Sequence, residues 1–349
     1  NAGALGTTAA NTTVNPGAAL EIAGSGMTIA EPIVLYGWGY NHVPTGVLRM
    51  IDAQPGTAET NTLTGQINLN AYTPLIPGVN PYVPTTGQAM GNVIAVDGAE
   101  DTLRLGTGTG AIVTGGTNLS KVGLGTLELG GTASNNYGGT TYVNAGTLRL
   151  NKTAAINAFA GGLVIGDNDG GPAADQVIYA AANQIVDGQN VTVVRSGRLD
   201  AAGMADTINA LSIVDGSFVT NGAGNYQSNG GLTMAGGSLV TSGGATFVLN
   251  TNMTYNSGAQ ALISGKLSLN NGDRTFTVND GPQMLDLRVD ADITGGGTSG
   301  RFTKQGAGAV LLAGDNKNLT GSSEVQTVSV PATVTTFTLT FHGSTTGNI

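Results

Sequence analysis

Lys121-Val122-Gly123-Leu124-Gly125-Thr126-Leu127-Glu128-Leu129-Gly130-Gly131 returns as Lys304-Gln305-Gly306-Ala307-Gly308-Ala309-Val310-Leu311-Leu312-Ala313-Gly314, with the lysine and three glycines in register. Leu127 and Leu129 fall on Val310 and Leu312. Strict alternation sends Leu127 and Leu129 to one side of an extended chain and Thr126 and Glu128 to the other, so the segment reads as a short strand that buries one face. The glycines on either side supply the positive φ that a sharp corner needs.

Two more echoes carry the same message. Thr141-Tyr142-Val143-Asn144-Ala145-Gly146-Thr147-Leu148-Arg149 matches Thr192-Val193-Val194-Arg195-Ser196-Gly197-Arg198-Leu199-Asp200, and more loosely the stretch from Thr13 to Glu21. Leu211-Ser212-Ile213-Val214-Asp215-Gly216-Ser217-Phe218-Val219-Thr220 repeats 232 − 211 = 21 residues later from Leu232 to Thr241. Strands this short are not stable alone. Stacking coils of about 20 residues, the spacing of Gly197, Gly216 and Gly237, aligns their buried faces into one core. The expectation is an all-β solenoid from about Asn11 to Gly314. Roughly fifteen coils at about 4.8 Å would make a rod on the order of 70 Å long.

Composition agrees. Of 349 residues 57 are glycine, more than twice the usual share, while charged residues make up 10% and aromatics 5%. At 40% hydrophobic residues the chain has enough apolar surface for a narrow core. Thirteen basic against 22 acidic residues leave a net charge of −9, spread without runs, which argues against nucleic acid as a partner. Without cysteine there are neither disulfides nor thiolate metal sites. No apolar run approaches the roughly 18 residues of a membrane-spanning helix, and Asn1 to Gly6 carry no signal-peptide pattern, so the chain reads as a mature piece or an excised segment.

Two stretches depart from the repeat. Residues 70–87 hold four of the eleven prolines (Pro74, Pro77, Pro81, Pro84), which deny ladder hydrogen bonds and suit a loop thrown out from the stack. After Gly321, Glu324 to Val330 and Thr336 to Phe341 alternate cleanly across a turn at Pro331. They read as a short antiparallel β hairpin opening a second module over 321–349, after a solenoid over 1–320.

The Lys-x-Gly-x-Gly-Thr-Leu-x-Leu opening at Lys121, the Tyr137-Gly138-Gly139-Thr140-Thr141 middle and the Val143-Asn144-Ala145-Gly146-Thr147-Leu148 close resemble the autotransporter-associated β-strand repeat. That resemblance implies a right-handed parallel β-helix in a bacterial surface or secreted protein. The tail from Phe337 to Thr346 is similar to the start of a module that follows such repeats in very large bacterial surface proteins. The second copy departs from the pattern, since no Gly-Thr-Thr-x-Val-Asn-x-Gly element follows Gly314. The strands of an outer-membrane barrel are also missing, so self-export is not implied.

Candidate chemistry is sparse. Asp167-Asn168-Asp169, followed by Gly170-Gly171 and Asp175, could hold Ca²⁺ through oxygens or pair carboxylates for acid and base work, but the same residues suit a plain polar turn. No other cofactor is suggested. His42 and His342 lie far apart without acidic neighbours, which supports neither a triad nor a metal pair. Glycine runs at Gly106 to Gly110 and Gly295 to Gly297 lack the Lys-Ser/Thr ending of a phosphate loop and read as corners. Six Asn-x-Ser/Thr sequons (Asn11, Asn118, Asn151, Asn190, Asn252, Asn318) follow from composition. The most distinctive local feature is Tyr36-Gly37-Trp38-Gly39-Tyr40. In an extended strand all three aromatics share one face, either as a platform for a glycan or partner or as filling for the core.

The sequence therefore predicts a secreted, non-enzymatic structural protein of the bacterial cell surface, acting as spacer, filament or surface-layer component. Self-association through uncovered strand edges is expected. An adhesin or carbohydrate-binding passenger built on Tyr36, Trp38 and Tyr40 is the alternative, and a polysaccharide-degrading β-helix enzyme comes third.

Overall fold

The computed structural model describes residues 3–6, 8–71, 91–110, 112–295, 302–315, 340–341 and 344–345. From Thr12 to Leu312 the chain winds through parallel strands that pair only with strands of the coils below and above. Two ladders run the length of the stack, and a third face is laddered from Thr12–Val14 to Val113–Gly115 and again from Asp206, with one bridge, Phe159 to Ile185, between. One continuous ladder links Leu20–Ile22, Leu48–Met50, Asn92–Val96, Leu119–Val122, Thr141–Val143, Leu163–Ile165, Val191–Val194, Asp206–Val214, Tyr226–Ala235, Met253–Tyr255, Arg274–Val278 and Phe302–Gln305. That is twelve levels, so the rod is about 55 Å long. Among the described residues there is no α-helix, only a single 3-10 turn over Tyr40–His42.

Fewer coils form than the sequence predicts because the early ones carry long corner excursions. Ile33 stacks on Ile67 and Ile67 on Val113, spacings of 67 − 33 = 34 and 113 − 67 = 46 residues. Later coils keep the short period, with Leu211 on Leu232 and Tyr226 on Phe247, each 21 residues on. The second level comprises Ile33–Tyr36, Leu48–Met50 and Thr60–Leu63, and the third Ile67–Asn70, Asn92–Val96 and Thr102–Leu105.

In-register stacking turns each inward position into a column of like side chains. Leu103, Leu127, Leu148, Val177, Leu199, Phe218, Leu239, Ile263 and Val289 lie one above another and are fully buried. Outward neighbours follow the same rule. Glu128 sits between Arg104 and Arg149, with ion pairs of 3.6 and 3.5 Å, and also accepts from Asn151 Nδ2. One part of the core is aromatic, where Phe218, Tyr226 and Phe247 pack at 4.9 to 6.3 Å and the Tyr179 and Tyr226 hydroxyls bond at 3.1 Å.

The register corrects two of the sequence matches. Thr192 stacks over Val164 and Tyr142 rather than over Thr141, because the corner Val194-Arg195-Ser196 is one residue longer than Asn144-Ala145. Beyond the corner Gly146 and Gly197 line up as matched. Likewise Val310 shares a column with Leu287 and Ala261, and it is Leu312 that reaches the column of Leu127. That slide of two residues keeps the same side of the strand inward, so the motif survives it.

The repeated motif is a corner device. Lys121 lies in an otherwise aliphatic column of Leu20, Leu48, Ile94 and Val143, fully buried, and its ammonium donates to the carbonyls of Val122, Gly123 and Ala145 at 2.9, 2.6 and 2.9 Å. Lys304 donates in the same way to the Gly306 carbonyl. Two residues after each lysine stands a glycine at φ +78° (Gly123) or +81° (Gly306), and a Cβ at either would lie 2.3 Å from a carbonyl oxygen of the coil below, Val96 or Val278. A chain carbonyl turned inward at a corner has no strand partner, and the lysine satisfies it.

Of the Pro-rich excursion expected over 70–87, Asn70 ends the strand Ile67–Asn70 and residues 72–87 lie outside the described residues, as do the hairpin strands expected from Glu324 to Leu339. Within the tail, Thr340–Phe341 pairs antiparallel with Ser344–Thr345.

Burial gives the stack a distinctive response to pH. Desolvation pushes the Asp175 and Asp206 carboxyls up to about 6 and draws Lys121 down to about 7 and Lys152 to about 8. A raised carboxyl adds stability below its unfolded value, lost as pH climbs through the folded one. A lowered ammonium adds stability above its unfolded value, lost as pH falls through the folded one. Melting temperature is therefore expected to fall from about pH 4 to 6 and to rise again from about 7 toward 10. Thermal melts across that range check this, and Lys121→Met should flatten the alkaline limb.

Candidate functional site

The corner between the ladder of Ile33–Tyr36 and that of Leu48–Met50 differs from the others in carrying aromatic side chains. The strand ends at Tyr36, and Gly37 and Gly39 take φ of +89° and +135° before the 3-10 turn of Tyr40–His42. The extended strand expected over Tyr36 to Tyr40 is thus broken. Two positive-φ glycines turn the backbone instead of alternating it. Gly37 and Gly39 are buried, Tyr36 and Trp38 are half-buried, and Tyr40 is 66% exposed. At Gly39 a Cβ would sit 2.7 Å from Thr45 Oγ1 and 2.9 Å from Gly46 N, so close approach of this returning chain dictates the glycine.

Trp38 lines a depression of about 330 Å³ with Gly37, Asn70, Ala71, Gly91, Gly116, Thr117 and Asn118. Those residues come from the same corner of the second, third and fourth levels. Ala71 and Gly91 are the described residues on either side of 72–90.

A buried asparagine holds the groove together. Asn92 Oδ1 accepts from Gly37 N at 3.1 Å, and its Nδ2 donates to the Asn70 carbonyl at 3.1 Å and to Thr117 Oγ1 at 2.8 Å, which ties three levels through one side chain. The same corner continues as an asparagine spine: Asn118 Oδ1 accepts from Thr140 N, Asn209 Nδ2 donates to Asn190 Oδ1, Asn250 Nδ2 to Asn229 Oδ1 and Asn270 Nδ2 to Asn250 Oδ1. Stacked amides of this kind satisfy one another up the axis of a parallel stack. Three of the sequon asparagines, Asn118, Asn190 and Asn252, are hydrogen-bonded here, and Asn151 bonds to Glu128.

Asp167, Asn168 and Asp169 occupy the corner that follows Leu163–Ile165. Ser196 Oγ of the next level accepts from Asp167 N and Asn168 N, Asp167 Oδ1 accepts from Asp169 N, Asp169 Oδ1 accepts from Gly170 N, and Asn168 adopts φ +73°. Desolvation raises the Asp167 carboxyl. Hydrogen bonds of a tight turn thus engage a carboxylate oxygen of each aspartate. His42 belongs to the 3-10 turn, and His342 lies outside the described residues. Gly106, at φ +91° with the Gly130 carbonyl 2.7 Å from a would-be Cβ, is a corner.

One constellation is absent from the sequence reading. Asp52, Glu59 and Asp101 bring carboxylate oxygens within 4.8 Å of one another. Separations of 7 and 42 residues (59 − 52 and 101 − 59) hide this grouping from any local pattern, and only the stacking of the second level on the third creates it.

The fold defines a class, the parallel β-solenoids. No family model matches the chain, so the repeat type stays a resemblance, and no solved structure matches it. Among curated proteins the chain is 31% identical over 188 residues to the adhesin BmaC autotransporter of Brucella suis biovar 1 (strain 1330). The matched stretch is 51% of this chain and 5% of that adhesin, so the chain spans a small fraction of the relative's length. No helix among the described residues is long and apolar enough to cross a membrane.

Because Trp38 is the only tryptophan, its fluorescence reports on this corner alone. Asn92→Ala strands the Gly37 N–H and should cost about 1–3 kcal/mol in urea unfolding, with a red shift of Trp38 emission. An unchanged emission maximum would mean that Asn92 does not hold the groove.

Proposed function

We propose that this chain is a solenoid section of a bacterial surface protein, extracellular or attached to the cell, that acts as a non-enzymatic spacer of an adhesin-type passenger. The observation that carries the reading is the stack of twelve levels among the described residues, two of whose ladders are continuous and in which each coil adds about 4.8 Å of hydrogen-bonded length. Such a scaffold separates whatever it carries from its point of attachment, and its mechanism is geometric. The 188-residue similarity to an autotransporter adhesin supports a surface setting and an adhesive context.

Within that reading the aromatic corner is the contact surface. The exposed Tyr40 and the half-buried Trp38 stand at a corner whose groove is lined with amide and hydroxyl groups, a combination that suits a sugar ring with polar edges. Self-association with copies or neighbouring modules belongs to the same proposal, and light scattering over a concentration series tests it.

The experiment is display of the chain on a non-adherent bacterium, with binding to a glycan array and to epithelial cells. Trp38→Ala with Tyr40→Ala is expected to lower binding about tenfold or more while leaving the melting temperature within a few degrees of the parent. Binding that survives both substitutions would remove the aromatic corner from the proposal. Release of reducing sugar from a polysaccharide would contradict the non-enzymatic reading.

A further inference from the structure

The acidic grouping lies at a different corner, the one between the ladder of Leu48–Met50 and that of Thr60–Leu63. Asp52 leaves the first of these strands and Glu59 precedes the second, on the second level. Asp101 precedes Thr102–Leu105 on the third. Glu59 and Asp101 are 1% and 0% exposed. Part of their hydrogen bonding is met by backbone, since Asp101 Oδ1 accepts from Glu59 N at 2.9 Å and Glu59 Oε2 from Ala53 N at 3.1 Å.

The rest is not met. Asp101 Oδ2 and Asp52 Oδ1 are both buried atoms without a hydrogen-bond partner. They face the same space: a Cβ on Gly98 would lie 2.4 Å from Asp101 Oδ2 and 3.2 Å from Asp52 Cγ, so a glycine keeps that space open. Among the described residues no lysine or arginine bridges to any of the three carboxylates, although Arg49 nearby is engaged by Glu21 and Asp97. A buried carboxylate oxygen with neither donor nor cation is costly, and three converging carboxylates raise that cost further. Asp52 feels it, since desolvation and the neighbouring Asp101, Glu100 and Glu59 hold its carboxyl above the usual range.

We propose that Asp52, Glu59 and Asp101 form a Ca²⁺ site that clamps the second level of the solenoid to the third. Oxygen-only ligands exclude the metals that favour thiolate or imidazole. Oxygens as much as 4.8 Å apart can straddle one ion at about 2.4 Å each, the bond length of Ca²⁺ and longer than the roughly 2.1 Å of Mg²⁺. The three carboxylates fill part of the six-to-eight-fold shell and water completes it. Three charges from loops on two coils place the affinity in the range of extracellular calcium modules, submillimolar to millimolar.

The test is calorimetric titration and thermal melting of the full chain, stripped with chelator and then supplied with calcium chloride or magnesium chloride. Calcium is expected to bind with a stoichiometry near one at this site and to raise the melting temperature by a few degrees, magnesium far less. Asp52→Asn and Asp101→Asn should each weaken binding at least about tenfold and abolish the shift. Should Asp101→Asn fail to fold, the half-buried Asp52→Asn decides alone. Asp167→Asn with Asp169→Asn serves as the control and should keep the full response. No heat and no shift in the parent, a shift retained in Asp52→Asn, or a response lost only in the Asp167/Asp169 variant would each overturn the proposal.

Discussion

The whole molecule depends on one constraint: successive coils must stack in register. A strand of three to five residues buries too little surface to hold its shape, but a column such as Leu127, Leu148, Val177 and Leu199 shares that burial over many levels. Period-two alternation makes the constraint strict. Sliding one strand by one residue would turn its whole apolar side outward, whereas the two-residue slide between the Lys121 and Lys304 motifs is tolerated because the inward side is preserved.

What limits such a stack is the corner. Each turn of the chain exposes backbone carbonyls and amides that no ladder satisfies, and the three corners meet this differently. One uses buried lysine and positive-φ glycine, as at Lys121 and Gly123. Another uses a spine of asparagines, with Asn92 bonded to groups of three levels. High glycine and asparagine content is thus a consequence of corner geometry. The two proposed sites lie where a corner departs from these solutions: at Trp38, between two positive-φ glycines, and at Asp52, Glu59 and Asp101, where carboxylates converge.

The sequence made the strands and their period legible because alternation and the 21-residue echo are local. Leu211 does stack on Leu232 and Ser212 on Thr233. It did not give the number of coils, since insertions of different length at the early corners leave no fixed period. Tyr36 to Tyr40 reads as extended in sequence because glycine at alternate positions looks like a strand, whereas Gly37 and Gly39 at positive φ are the means of breaking one. The aspartates of 167–169 attracted notice by adjacency and prove to be tied into a turn, while the carboxylates that do converge come from distant segments. Local patterns report local structure. Sites assembled by stacking need the register.

Register is also what a single measurement can test. Starting from a chain without cysteine, spin labels at Thr126→Cys and Ser217→Cys are four ladder steps apart, and labels at Thr126→Cys and Arg288→Cys are seven. Electron–electron double resonance should give two narrow distance distributions whose means differ by about 14 Å, three steps of about 4.8 Å each. Overlapping or broad distributions for the two pairs would contradict the stacked solenoid and, with it, the spacer and both corner sites.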